Sequence, residues 1–155
     1  MTVEIVIMTR DEVLTVIVAI RDCSLIETWE AQFHQPYLDN ADVRLDPWAY
    51  DAHKSMWRAA LLFSLIALRK VADFAENRGT KQDDIRLSSF NLDLMQITGK
   101  TEVIDRKLRT KIDKGIAHLT TKLDPDYEEL DELREKLRSK DQVLQDLGDK
   151  FFSMI

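Results

Sequence analysis

No glycine or proline falls between Pro47 and Gly79, and this uninterrupted run constrains the fold more than any other stretch of the chain. It opens on Asp46-Pro47, an N-cap acceptor followed by a residue pre-set for the first helical position. From Trp48 to Glu76 the apolar residues keep a helical period in two adjoining stripes. Met56, Ala60, Phe63, Ala67, Val71 and Phe74 mark one stripe; Trp57, Leu61, Leu65, Leu68 and Ala72 mark the other. Two stripes side by side require burial on more than one side, the position of a central helix in a bundle. Asn77-Arg78-Gly79 is read as its C-terminal stop.

The remainder offers helices to pack against it. Val3 to Met8 is a short β-branched run, so residues 1–9 are read as an N-terminal tail or short strand. Thr9 and Glu12 make a capping box for a helix over about 10–34, which ends before Pro36. Val13, Ile17, Ile20, Leu25, Trp29 and Phe33 form its apolar face. Gln35 to Asp46 is expected to be a loop. Its acidic residues fail the calcium-loop spacing, with no glycine at the sixth position and no glutamate at the twelfth. After a polar connection from Thr80 to Leu87, Ser88 or Ser89 caps a short helix carrying Phe90, Leu94 and Ile97, stopped at Gly99. A basic helix follows from Thr101 to about Leu123. Asp124-Pro125 then starts a last helix with Leu130, Leu133, Leu137, Leu144, Leu147 and Phe151 on a heptad-like stripe and Lys140 in its one polar slot. The expected fold is all-α: one domain over 1–155, an up-and-down bundle of four long helices plus one short helix.

Bulk properties narrow the function. A chain of 155 residues buries a core without staples, and a single cysteine, Cys23, excludes an internal disulfide; Cys23 reads as a small buried hydrophobe. MTVEIVIM has no basic n-region, and the longest apolar run, Ala59 to Leu68, is interrupted by Ser64, so a cytoplasmic chain without membrane spans is expected. Net charge is −6, but residues 100–122 hold seven Lys/Arg against Glu102, Asp105 and Asp113, so the remainder carries −10. A local basic patch on an acidic chain points to a local anion.

That patch has helical order. Lys107, Lys111, Lys114, His118 and Lys122 recur at spacings of four, three, four and four, beside an apolar stripe of Ile104, Leu108, Ile112, Ile116, Leu119 and Leu123. Two readings stand for His118: a histidine packed in the core beside Ile116 and Leu119, or a neutral base on the basic ridge. Seven residues bring Lys111 and His118 to nearly the same direction, and neighbouring lysines disfavour the charged imidazole. With lysines holding a phosphate, such a base suits metal-independent RNA cleavage by removal of the proton from a 2′-hydroxyl. His34, His53 and His118 make no metal-ligand spacing, so no metal and no cofactor are expected.

The segment Thr110-Lys-Ile-Asp-Lys-Gly-Ile-Ala-His-Leu-Thr120 resembles the late signature helix of HEPN-domain proteins, particularly those of abortive-infection and toxin–antitoxin systems. Met56 to Asp73 looks like the earlier core helix of that family. The family pattern is an arginine, often followed by Asn or Asp, then His after four to six residues. Here the arginine position falls on Ile112 if Asp113 is the polar follower, or on Lys111 with six residues intervening. The resemblance implies a homodimeric endoribonuclease or RNA-binding protein whose two motifs meet at the interface. On this reading His118, Lys111 and Asp113 are assigned to catalysis, and the lysine row itself offers Lys107, Lys114 and Lys122 to phosphate. The alternative is a non-catalytic dimeric helical module whose basic ridge binds a partner protein or a nucleotide.

Overall fold

The computed structural model describes residues 9–40, 42, 45–79, 84–121 and 127–155, without the side chains of 117–121 and 127. The expectations for Val3 to Met8, for the Asp124-Pro125 helix start and for Lys122 lie outside the described residues. So do those for the side chains of His118, Leu119 and Leu123. Every regular element among the described residues is helical. In chain order they are α1 (Arg10–Asp22), α2 (Leu25–Trp29), a π-helical turn (Glu30–His34), α3 (Gln35–Asp39), α4 (Pro47–Ala75), a 3-10 turn (Leu87–Phe90), α5 (Leu94–Thr98), α6 (Arg106–Thr121), α7 (Tyr127–Arg138) and α8 (Asp141–Phe152).

The 29-residue α4 is the axis of the fold. Asp46 caps it, accepting from Trp48 N at 2.9 Å. It ends through Asn77, which takes the left-handed conformation at φ 56° and lets Arg78 N reach back to Asp73 O at 2.8 Å. The stop therefore uses Asn77 rather than Gly79, since asparagine tolerates positive φ. α1, α2, α6 and α7 pack on α4, and α8 packs on α1 and α5. Leu61, Leu65, Leu68, Val71 and Ala72 are buried together with Val13, Ile17, Ile20, Leu108, Ile112, Leu133, Leu144, Leu147 and Phe151. Phe74, Phe90 and Phe151 close one end of this core with edge and tilted ring contacts at 5.1–6.0 Å. At Gly115 an added Cβ would stand 2.9 Å from Leu133 Cδ1, so glycine sets the close approach of α6 to α7.

Long helices divide where tertiary partners outweigh local pattern. The expected 10–34 helix keeps its Thr9–Glu12 capping box but breaks at Cys23–Ser24. The break leaves Leu25 exposed, while Cys23 is buried. It does not end before Pro36 either. The π-helical turn widens the backbone so that Gln35 N reaches Glu30 O, and Pro36 enters α3 within its first turn, where no N–H is needed. The expected 35–46 loop thus begins as helix. Asp93, not Ser88 or Ser89, caps the short helix, accepting from Met95 N at 2.9 Å, and Gly99 stops it at φ 72° as expected. The basic helix starts at Arg106, not Thr101, because Asp105 accepts from Leu108 N at 2.6 Å. The last helix turns at Ser139–Lys140 into α7 and α8, although its leucine stripe is buried throughout.

Candidate functional site

α6 carries the residues that the sequence singles out, and its two flanks engage different neighbours. Lys111 Nζ pairs with Glu132 on α7, and this lysine holds the exposed Glu132 carboxyl below its ordinary range. Asp113 accepts from Arg69 Nε on α4 at 3.0 Å. Two residues along a helix diverge by about 200°, so Lys111 and Asp113 cannot face one reacting group. Lys107 and Lys114 are exposed, as are Arg106 and Thr110. Helix α6 carries residue 118 in its last turn, with its side chain outside the description.

Beside Asp113 lies a charged network that the sequence reading did not assemble. Arg109 is 8% exposed and reaches both Asp73 and Glu76, the latter at 3.3 Å. Arg69 bridges Asp73 and Asp113, and its hydrogen bonds to those carboxylates hold it firmly protonated. Glu76 also accepts from Val103 N at 3.3 Å and Ile104 N at 3.5 Å, tying the α5–α6 connection to the end of α4. Burial outweighs these bonds and pushes the Glu76 carboxyl above its ordinary range. Arg69, Asp73 and Arg109 of this network line an open cleft of about 650 Å³, together with Lys70, Arg78 and Asp84 among others. A local signal for it exists in the sequence. Arg109 continues the apolar arc of Leu108, Ile112 and Ile116, and Arg69, Asp73 and Glu76 run at i, i+4 and i+7 along α4.

Two further polar clusters hold the N-terminal half of α4. Arg134, 4% exposed, donates to both oxygens of Glu30, at 2.8 and 3.1 Å, and Trp57 Nε1 donates to the same carboxylate at 3.2 Å. Burial opposes the Glu30 charge, but Arg134 prevails and lowers its pKa. His34 Nδ1 and His53 Nε2 share one hydrogen bond at 2.8 Å, and the Tyr37 ring stacks on His53 at 4.0 Å. Burial and the facing His34 lower the pKa of His53. Cys23 is an inert group: burial pushes its thiol up to about 12. Among the described residues no group of three or more His, Cys, Asp or Glu is placed to hold a metal ion, and no helix is long and apolar enough to cross a membrane.

The chemistry open to α6 is therefore set by which cations are already engaged. Arg109, Lys111 and Arg69 are spent on carboxylates, whereas Arg106, Lys107 and Lys114 face solvent within an arc of about 100°. Such an arc can meet a row of phosphates. Comparison with protein-family models, with curated proteins and with solved structures gives no match, so the HEPN resemblance rests on residues 56–73 and 110–120 alone.

Proposed function

We propose that this chain is a HEPN-like helical bundle protein of a defence or toxin–antitoxin system that binds single-stranded RNA along the outward arc of α6. The observation that carries the reading is the division of cations on that helix. Arg106, Lys107 and Lys114 are exposed beside the Thr110 hydroxyl, while Arg109 and Lys111 are held by carboxylates on α4 and α7. Exposed cations on one helical face neutralise phosphates without reading sequence, and their contribution is salt-dependent. Metal-independent cleavage is the catalytic form of the same reading, with His118 as general base. In that form Asp113 supports the helix through Arg69 rather than orienting the base directly.

Fluorescence anisotropy with a labelled single-stranded RNA, measured across a salt series, tests the binding. The Arg106→Gln/Lys107→Gln/Lys114→Gln variant is expected to bind at least about tenfold more weakly, with a log–log salt slope shallower by about 2 for the three lost contacts. Equal affinity and slope in the variant and the parent protein would sink the proposal. Metal-free incubation with RNA separates the two forms: cleavage lost in His118→Ala supports catalysis, and equal inertness leaves binding alone.

A further inference from the structure

Lys140 fills the one polar slot of the leucine stripe that runs through α7 and α8. It stands at the turn between them, where Lys140 N donates to Leu137 O and Leu144 N donates to Lys140 O, both at 3.0 Å. Half-buried there, it lines a cavity of about 170 Å³ together with Lys107 and Lys111 of α6 and Lys136 of α7. Asp105 and Glu132 are also in the wall, and both are engaged: Asp105 accepts from Leu108 N at 2.6 Å, and Glu132 pairs with Lys111. Four lysines against two carboxylates leave the wall at +2. Burial lowers the pKa of Lys140, and the nearby Lys100 and Lys136 lower it further against the opposing pull of Asp105 and Glu102. Ammonium groups gathered around so small a space repel one another, and an anion among them relieves that repulsion.

We propose that this cavity receives the terminal phosphomonoester of an RNA lying along α6, which rests on the RNA-binding reading of that helix. Charge is the first ground. A phosphomonoester carries about −1.5 to −2 at pH 7, more than the single charge of an internal diester, and so matches the +2 wall. Size is the second. A volume of about 170 Å³ is that of roughly six waters, room for a phosphate group. It falls short of the ~300 Å³ at which pockets begin to hold drug-sized molecules, so the nucleoside stays outside while its phosphate enters. The path of the strand is the third. Lys107 belongs both to the exposed arc and to the cavity wall, and Lys111 follows it about 40° further round the helix. A strand that ends at Lys107 therefore has its last phosphate at the cavity, whereas an internal diester must carry chain away on both sides.

The residues that hold the end differ from those that hold the strand. Arg106 and Lys114 lie on the arc and not in the cavity wall, whereas Lys136 and Lys140 stand on α7 and at its turn into α8. Substitution can thus remove one set and spare the other. Inorganic phosphate presents the same dianion without the strand, which makes it the control for a cavity that takes free phosphate only.

Fluorescence anisotropy of the full chain with one single-stranded RNA in three forms, ending in a 5′-phosphate, a 3′-phosphate or hydroxyls at both ends, reads the preference at constant ionic strength. One phosphorylated form is expected to bind at least about tenfold more tightly than the hydroxyl form. Inorganic phosphate at about 10 mM is expected to abolish that advantage and leave the hydroxyl form bound. Lys136→Gln/Lys140→Gln is expected to lose the advantage while keeping the parent affinity for hydroxyl RNA, which also shows that the variant is folded. Lys136→Gln alone, a change on an exposed residue, is expected to lose part of it. Arg106→Gln/Lys114→Gln is expected to weaken all three RNAs and preserve their ratio. Equal affinities for the three forms leave the cavity to free inorganic phosphate at most and overturn the proposal, while the RNA-binding reading stands. An advantage that survives in Lys136→Gln/Lys140→Gln overturns it as well, because the extra charge then acts through the arc. RNA that binds in none of its forms overturns both readings.

Discussion

Ser64 is completely buried, and both capacities of its hydroxyl are used: it donates to Ala60 O at 2.9 Å and accepts from Ile26 N at 3.0 Å. The second bond matters because the turn at Cys23–Ser24 strips Ile26 of its place in the α1 ladder. A buried N–H left without an acceptor costs about 1–3 kcal/mol, so Ser64→Ala is expected to destabilise the protein by that amount in urea unfolding. A change below about 0.5 kcal/mol would mean that Ile26 finds another acceptor. In the sequence Ser64 reads only as an interruption in the Ala59 to Leu68 apolar run. Its partner lies 38 residues away, and no local pattern can name it. Arg109 follows the same rule. Helical phase does separate it from His118, but its burial depends on Asp73 and Glu76 standing on another helix. Residues whose work is local, such as the Thr9–Glu12 capping box and the Asp46 N-cap, were legible because both partners lie within three positions.

At the scale of elements, periodicity located most of the helical segments and misplaced several of their joints. α4 matches its expected span because caps, propensity and two apolar stripes agree there. Pro36 and Ser139 show the opposite case, since a proline ends a helix only if the backbone cannot widen around it. The π-helical turn does widen, and the His34–His53 bond together with the Tyr37 stack holds it on α4. That clamp should be acid-sensitive. His53 has a folded-state pKa below its ordinary value, so the native state favours the neutral ring. The unfolded chain then binds more protons as acid is added, and stability present above about pH 6.5 is lost as the pH falls through that value towards the lowered one. Thermal unfolding followed from pH 7.5 to 5.5 is expected to show a falling midpoint, with a shallower slope in His53→Gln. An identical slope in that variant would place the acid sensitivity elsewhere.

Across the whole molecule, the helical content and a central α4 were legible from pattern alone, whereas the pairing of distant charges was not. Composition gave a basic α6 but could not show which of its cations are already engaged, because Glu132 and Asp73 lie on other helices. One long-range tie is Arg134 to Glu30, 104 residues apart, joining α7 to the π-helical turn across the N-terminal half of α4. Its bidentate geometry and the third bond from Trp57 place it among buried ion pairs rather than surface ones. Removing one partner leaves the other charge desolvated, so Arg134→Ala is expected to cost about 3 kcal/mol, the lower end for a buried pair because Glu30 keeps some exposure. Replacing both members with leucine removes the stranded charge along with the bond. The Glu30→Leu/Arg134→Leu protein is therefore expected to lie closer to the parent in urea midpoint than Arg134→Ala does. If the double variant is instead the less stable by the sum of both single losses, the two residues act independently, and the contact does not join the ends of the chain.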